Sequence, residues 1–248
     1  VREDLKVLVR DHASYKRWEV RYQNALKLKR DGDDQKRPTP YEMTEEYRNR
    51  VTALLDQSGV WTDGISKQIG KAVHELPIWK EWAVAVKPMG ELTIGYLEAY
   101  VDLDRASDSE GRVVVSKVWR FCGYGAPEDK RGERGKKRCY CAAIKTQLYQ
   151  WGLSLEKLRN QNPSAYGAIY DGTKARLEQS DNVVEERKKN GSAEVAWKDA
   201  RPGHRRDAAI RRAIKEMLKD YVKARAALEG RTVRPPYAEE YLGKKHCA

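Results

Sequence analysis

A mainly α-helical fold is predicted for this chain, built around a helix-hairpin-helix and closed by a long C-terminal helix. Three observations predict it. Apolar residues recur at helical spacing through most of the sequence. Pro and Gly break that recurrence at a few sharp points. The stretch Arg205 to Glu229 carries the strongest pattern, with Ile210, Ile214, Met217, Leu218 and Tyr221 on one face.

The elements follow in order. Arg2 to Lys29 reads as a charged helix with a ragged apolar face of Leu5, Leu8, Val9, Trp18, Val20, Tyr22, Ala25 and Leu26. Asp31 to Pro40 is a loop by composition, since Gly, Asp and two Pro do not continue a helix. A second helix is expected from Thr44 to Gln57, stopped by Ser58-Gly59. The next runs from about Ile65 to Val86 on Ile69, Val73, Leu76, Trp79, Trp82 and Val86, and Pro77 kinks or splits it. Asp102 to Gly111 is a polar turn. Val113 to Gly123 is apolar enough for a buried helix or a strand. Tyr140 to Arg159 is helical through Ala143, Ile144, Leu148, Trp151 and Leu155. Asn162-Pro163 opens another helix with Tyr166, Ile169 and Tyr170. Ser180 to Gly203 is charged and poor in apolar residues, and so reads as a solvated excursion or partly disordered. On the last helix Arg211, Arg212, Lys215, Lys219 and Lys223 lie away from the apolar face, and Gly230 suits its end. Pro235-Pro236-Tyr237 starts an extended tail. The expected divisions are an N-terminal helical segment (1–60), a helix-hairpin-helix domain (61–176), a charged loop (177–204), and the last helix with its tail (205–248).

Composition narrows the partners. The chain has 248 residues, long enough for a real core. Its formal charge of +12 and pI near 9.4 favour a polyanion, and nucleic acid is the most common one. No apolar run reaches the length of a spanning helix and no stretch resembles a signal peptide, so no membrane partner is expected. The chain begins at Val1 rather than Met, which reads as a trimmed chain or a fragment. Cys122, Cys139, Cys141 and Cys247 make no disulfide framework at this length, and neither they nor His204 and His246 have the spacing of a zinc site. Reduced, structural thiols in a cytoplasmic protein are the reading this favours, with no metal and no cofactor.

The expected hairpin lies within Val86 to Val101 (VKPMGELTIGYLEAYV). Pro88 biases Lys87 away from helical dihedrals and Gly90 serves the turn. Leu92, Tyr96, Leu97, Tyr100 and Val101 then recur on one helix face. Such a turn aims backbone N–H groups at a phosphate without reading bases. The expected DNA contacts are Lys87, Met89, Gly90 and Thr93 there. Lys130, Arg131, Arg134, Lys136, Lys137 and Arg138 join them from the glycine-punctuated basic stretch, where Glu128, Asp129 and Glu133 are interleaved. Arg205 and Arg206 join at the start of the last helix.

Val86, Lys87, Met89, Gly90, Thr93, Leu97, Ala99, Tyr100 and Val101 together resemble a motif of the bridge-RNA-guided insertion-sequence transposases. Those proteins pair a RuvC-like DEDD nuclease domain with a serine-bearing helical domain. Val118 to Gly125 (VWRFCGYG) resembles the family's Tyr-Ala-Gly-Leu turn, and Tyr140 to Tyr170 its later helices, so the likeness spans roughly Ser66 to Tyr170. It implies a helical fold and DNA binding. It does not carry catalysis across. Pro88 replaces the first hairpin Gly, Ala126 to Arg138 contains no Ser where the family has its nucleophile, and residues 1–85 show no DEDD pattern.

The function expected is thus non-catalytic, largely sequence-tolerant DNA binding, with duplex DNA as partner. One alternative is a divergent transposase or recombinase with magnesium-dependent strand cleavage. For it, Glu91, Glu98, Asp102 and Asp104 are the acids that could gather a metal, and Tyr140 or Tyr170 a nucleophile. The other alternative is binding of structured RNA, for which stacking aromatics are the usual device.

Overall fold

A computed structural model describes residues 2–27, 45–125, 139–188 and 191–235. The expected loop Asp31 to Pro40, the stretch Ala126 to Arg138 and the tail from Pro236 lie outside the described residues. The structure is mainly helical, and the chain divides into two compact units between His74 and Glu75.

The first unit holds α1 (Arg2–Lys27) and α2 (Glu45–His74), which pack on each other. Leu5 and Val9 of α1 are fully buried, and the Tyr15 ring meets Trp61 of α2 at 5.2 Å between centroids. Trp18 and Val20, counted in the apolar face by sequence, are about half exposed instead, at 51% and 52%. The expected stop at Ser58-Gly59 does not occur. The Ser58 hydroxyl donates to the Leu55 carbonyl, Thr62 to Ser58 and Ser66 to Thr62, each at 2.8 Å. Hydroxyls folded back on their own helix do not act as caps, and the helix continues through them. It ends before Pro77, whose ring forces Leu76 into an extended conformation (φ −78°, ψ 137°).

The helix expected from Ile65 to Val86 is therefore split. Beyond the break come α3 (Pro77–Glu81) and a 3-10 turn (Ala83–Ala85), then α4 (Glu91–Tyr100) and α5 (Leu103–Ala106). Asp102 caps α5 by accepting from the Asp104 and Arg105 N–H groups. The ambiguous Val113 to Gly123 resolves into both alternatives. β1 (Val113–Val114) leads straight into α6 (Val115–Phe121). After the undescribed stretch come α7 (Ala142–Leu158) and α8 (Ala165–Glu178), the latter capped by the Ser164 hydroxyl accepting from Gly167 N–H.

The charged excursion is a correction of another kind. Val183–Lys188 (β2) and Gly191–Ala196 (β3) pair as an antiparallel hairpin, with Val184 opposite Val195 and Glu186 opposite Ala193. One short turn of 3-10 helix follows, then α9 (Pro202–Leu228) and β4 (Val233–Arg234). Gly230 takes a φ of +66° just past α9, where an L side chain is disfavoured, and β4 pairs in parallel with β1.

α9 is the axis of the second unit. Ile210, Ala213, Ile214, Met217, Leu218, Tyr221 and Val222 are at most 1% exposed, and α3, α6, α7 and α8 all pack against this helix. On α7, Gly152 faces Ile210 and Ile214 so closely that a Cβ there would overlap the Ile210 side chain. Polar ties supplement the apolar contact. Trp119 Nε1 donates to the Lys215 carbonyl at 3.0 Å, and the Tyr166 hydroxyl donates to Asp220 at 2.8 Å. Deepest is a charged cluster between α9 and α4. The Tyr221 hydroxyl donates to Glu98 at 2.7 Å, and Arg225 Nη1 donates to the Val101 carbonyl at 2.7 Å and to the Tyr221 oxygen at 3.0 Å. Glu98 and Arg225 are 3% and 5% exposed, so neither charge has water to fall back on.

That burial fixes an expected outcome. Glu98→Ala removes the acceptor of the buried Tyr221 hydroxyl and one of the two carboxylates at Arg225, leaving Glu229 at 3.2 Å, and should lower stability by about 1–3 kcal/mol. Urea unfolding checks it, and a loss below about 1 kcal/mol would show that the cluster is not what joins α4 to α9.

Candidate nucleic-acid interface

The residues expected to grip DNA do not gather at residues 86–101. Lys87 and Gly90 are exposed and Met89 is half buried. Gly90 precedes α4 with φ −108° and ψ 156°, backbone that any residue adopts, and open space surrounds the position a Cβ would take. Thr93 is buried, and its hydroxyl accepts from Gln147 Nε2 at 3.4 Å, so it faces the core. The five residues of α3 and the 3-10 turn after them stand where the first long helix of a helix-hairpin-helix is expected. A helix-hairpin-helix is not shown here. Pro77 is the physical reason that no long helix leads into the turn, because it ends that helix well before it.

At the start of α9, Arg205 and Arg206 have internal duties. Arg205 Nη1 donates to the carbonyls of Trp197, Lys198 and Ala200, and so pins the 3-10 turn onto α9. Arg206 Nη2 donates to Asp207 at 3.0 Å and to the Tyr149 oxygen at 3.4 Å. Lys130, Arg131, Arg134, Lys136, Lys137 and Arg138 lie outside the described residues. Three of the four acids considered for a metal are committed elsewhere. Glu98 holds Tyr221 and Arg225, Asp102 caps α5, and Asp104 pairs with Arg231 at 2.6 Å. Tyr170, buried, donates to Glu156 at 2.9 Å, and the Tyr140 ring lies under Lys145.

What the fold does build is a cleft of about 660 Å³ between α7, α9 and the hairpin, with Tyr124, Lys145, Tyr149, His204, Asp207 and Arg211 among its walls. The chain on both sides of residues 126–138 is anchored here. Arg211 Nη2 donates to the Gly125 carbonyl at 2.7 Å, and Tyr124, just before it, donates its hydroxyl to the Lys145 carbonyl at 3.3 Å. On the returning side the Cys141 N–H donates to the Phe121 carbonyl at 2.9 Å.

Cations cover aromatic rings along this region. Lys145 Nζ sits 4.4 Å from the Tyr140 ring centre, the Arg211 guanidinium 5.7 Å from Tyr124, and Lys215 Nζ 4.1 Å from Trp119. At these distances the ring quadrupole attracts the cation, worth about 0.5–2 kcal/mol depending on desolvation. His204 packs on Trp197 with centroids 5.0 Å apart, and its Nδ1 lies 3.7 Å from Glu186. Glu186 is itself held below the usual carboxylate range by the backbone and side-chain N–H groups of Arg201.

The electrostatics carry one clear imbalance. Arg212 and Lys219 both pair with Glu216, at 3.2 Å and 2.6 Å. Lys215, between them, has no carboxylate in contact among the described residues. Burial, then the Arg211 and Arg212 guanidinium groups, push its ammonium down to about 8. Burial likewise raises Tyr124, while Tyr149 is raised by burial and by its bond to Asp207.

Sequence reasoning did not single out Lys145, Arg211, Lys215 or Tyr124 as a site. Arg211 and Lys215 do stand four residues apart on one helix face, a visible signal. Their meeting with Lys145 is tertiary and has none. Comparison with protein-family models, with curated proteins and with solved structures finds no match for the chain.

The lowered Lys215 makes stability pH-dependent. In the unfolded chain this lysine keeps its proton to its ordinary value of 10.5, whereas the folded protein releases it near 8. The unfolded state binds the extra proton between those values, so this group's contribution to stability rises with pH across that window. Thermal melts from pH 7 to 10 should therefore show wild type gaining on Lys215→Met as pH rises. Parallel curves would show that Lys215 is not desolvated.

Proposed function

We propose that this chain is a non-catalytic nucleic-acid-binding protein that holds duplex DNA by its phosphates. The contacts assigned to phosphate are Lys145 and Arg211 of the cleft and the basic residues of 126–138, not the turn at Gly90. One observation carries the reading. The chain entering and leaving its most concentrated run of Lys and Arg is anchored beside a cleft lined by further cations, in a protein of formal charge +12. Phosphate contact requires cations and N–H donors without demanding a base-reading helix, and it tolerates sequence. The interleaved acids Glu128, Asp129 and Glu133 moderate that surface rather than neutralise it, since basic residues outnumber them there.

The resemblance to the bridge-RNA-guided transposases supports DNA as the partner and gives no support to chemistry. Neither a Ser in the 126–138 stretch nor an uncommitted pair of carboxylates after α4 is available to cut a strand. Magnesium or manganese should produce no nicking or joining of supercoiled plasmid. Cleavage abolished by Asp102→Asn in a folded protein would make the enzyme reading the leading one.

Binding is measured with labelled duplex DNA, single-stranded DNA and structured RNA at two salt concentrations. Duplex affinity should fall roughly a thousandfold between about 50 and 200 mM salt, as expected for about six neutralised phosphates. Arg211→Gln should lower the salt slope by about one. Lys87→Ala and Gly90→Val should leave it unchanged. Salt-insensitive binding sinks the reading, as does an absence of binding at low salt. A strong preference for the RNA arm would reassign the partner.

A further inference from the structure

Three cysteines stand at the base of residues 126–138. Cys122 closes α6, and Cys139 and Cys141 precede α7, none of them in a disulfide. The hydrogen bond from Cys141 N–H to the Phe121 carbonyl, 2.9 Å, constrains two of them. In a trans peptide the next Cα lies about 2.8 Å from the carbonyl oxygen, and an N–Cα bond adds about 1.5 Å. Even if these segments ran in a straight line, the Cα atoms of Cys122 and Cys141 would be about 7 Å apart, and every bend in the path brings them nearer. A disulfide spans about 4.4–6.8 Å between Cα atoms. Cys122 is pushed up by burial and further by its Cys141 neighbour.

Their surroundings divide the roles. Cys122 is 0% exposed, Cys141 is partly exposed and Cys139 is exposed. Between Cys122 and the stretch, Gly123 turns the chain with a φ of +78°, and the Lys145 side chain lies across it. We infer that Cys122 and Cys141 are a redox modification site, joined as a disulfide by thiol exchange with a small glutathione-type disulfide. The Cys141 thiolate attacks one sulfur of that reagent, its S–S bond breaks, and one thiolate leaves and takes up a proton. The Cys122 thiol then gives up its proton as its sulfur attacks Cys141, and the second glutathione leaves as thiol. Two protein thiols are oxidised, one small disulfide is reduced to two thiols, and no other reactant is needed. The exposed Cys139 competes for the first adduct and not for the buried partner. The product ties together the chain entering and leaving the basic stretch. It stands whether or not the protein binds DNA, because its readout counts thiols.

The test uses the full chain carrying Cys139→Ser and Cys247→Ser, which leaves only these two thiols. The native protein is incubated with oxidised and reduced glutathione, trapped by alkylation and mapped as peptides. Expected are loss of both thiols, a mass decrease of about 2 Da, and a linked Cys122–Cys141 peptide. The link should form at an oxidised-to-reduced ratio at least tenfold lower than in urea, since folding holds the sulfurs together. Cys122→Ala in the same background should stop at a glutathione adduct on Cys141. A lasting adduct on Cys141 with Cys122 still reduced overturns the inference. So does a link that forms no more readily in the folded protein than in urea.

Discussion

A buried arginine on a buried helix is the constraint around which the second unit is organised. α9 presents apolar side chains around so much of its circumference that it must be wrapped, and α3, α6, α7 and α8 supply the wrapping. Near its end, Arg225 enters that dry interior and requires acceptors. Glu98, the Val101 carbonyl, the Tyr221 oxygen and Glu229 provide them. Because Glu98 and Val101 belong to α4 and its end, this one guanidinium ties α4, which packs on α7, to α9 as well. Apolar burial alone would permit several registers.

The same helix explains why cations collect at the other end of the unit. Arg211 and Lys215 of α9 are neither fully buried nor fully exposed. They resolve this by lying on aromatic faces, Tyr124 and Trp119, with their apolar stems covered. Among the described residues no carboxylate forms a salt bridge with either of them, and burial holds the Lys215 ammonium below its ordinary value.

Local pattern made most of the helices legible. α7 and α9 could be read from Ile144, Leu148, Trp151 and Leu155 and from Ile210 to Tyr221, because the residues that bury there also keep helical spacing. The break at Pro77 was legible from the proline alone, even though the apolar recurrence from Ile69 to Val86 runs on across it. Ser58-Gly59 misled. A capping pair by composition became helix interior once its hydroxyl turned inward. The pairing of β2 with β3 was hidden by charge, although Val184 and Val195 stand opposite each other in it. The cleft was not legible at all. Lys145 and Arg211 are far apart in sequence, and only the packing of α7 on α9 brings them to one wall.

That packing rests on Gly152. With no side chain there, α7 settles directly onto Ile210 and Ile214, and its earlier residues Lys145 and Tyr149 are carried in beside Arg211 and Asp207, close enough for the Tyr149 hydroxyl to donate to Asp207 at 3.1 Å. The calibre of the cleft is thus set from beneath its floor, by the one position on α7 where there is nothing to hold the two helices apart. A residue that never meets a ligand works as the gauge for anything that must fit between the walls.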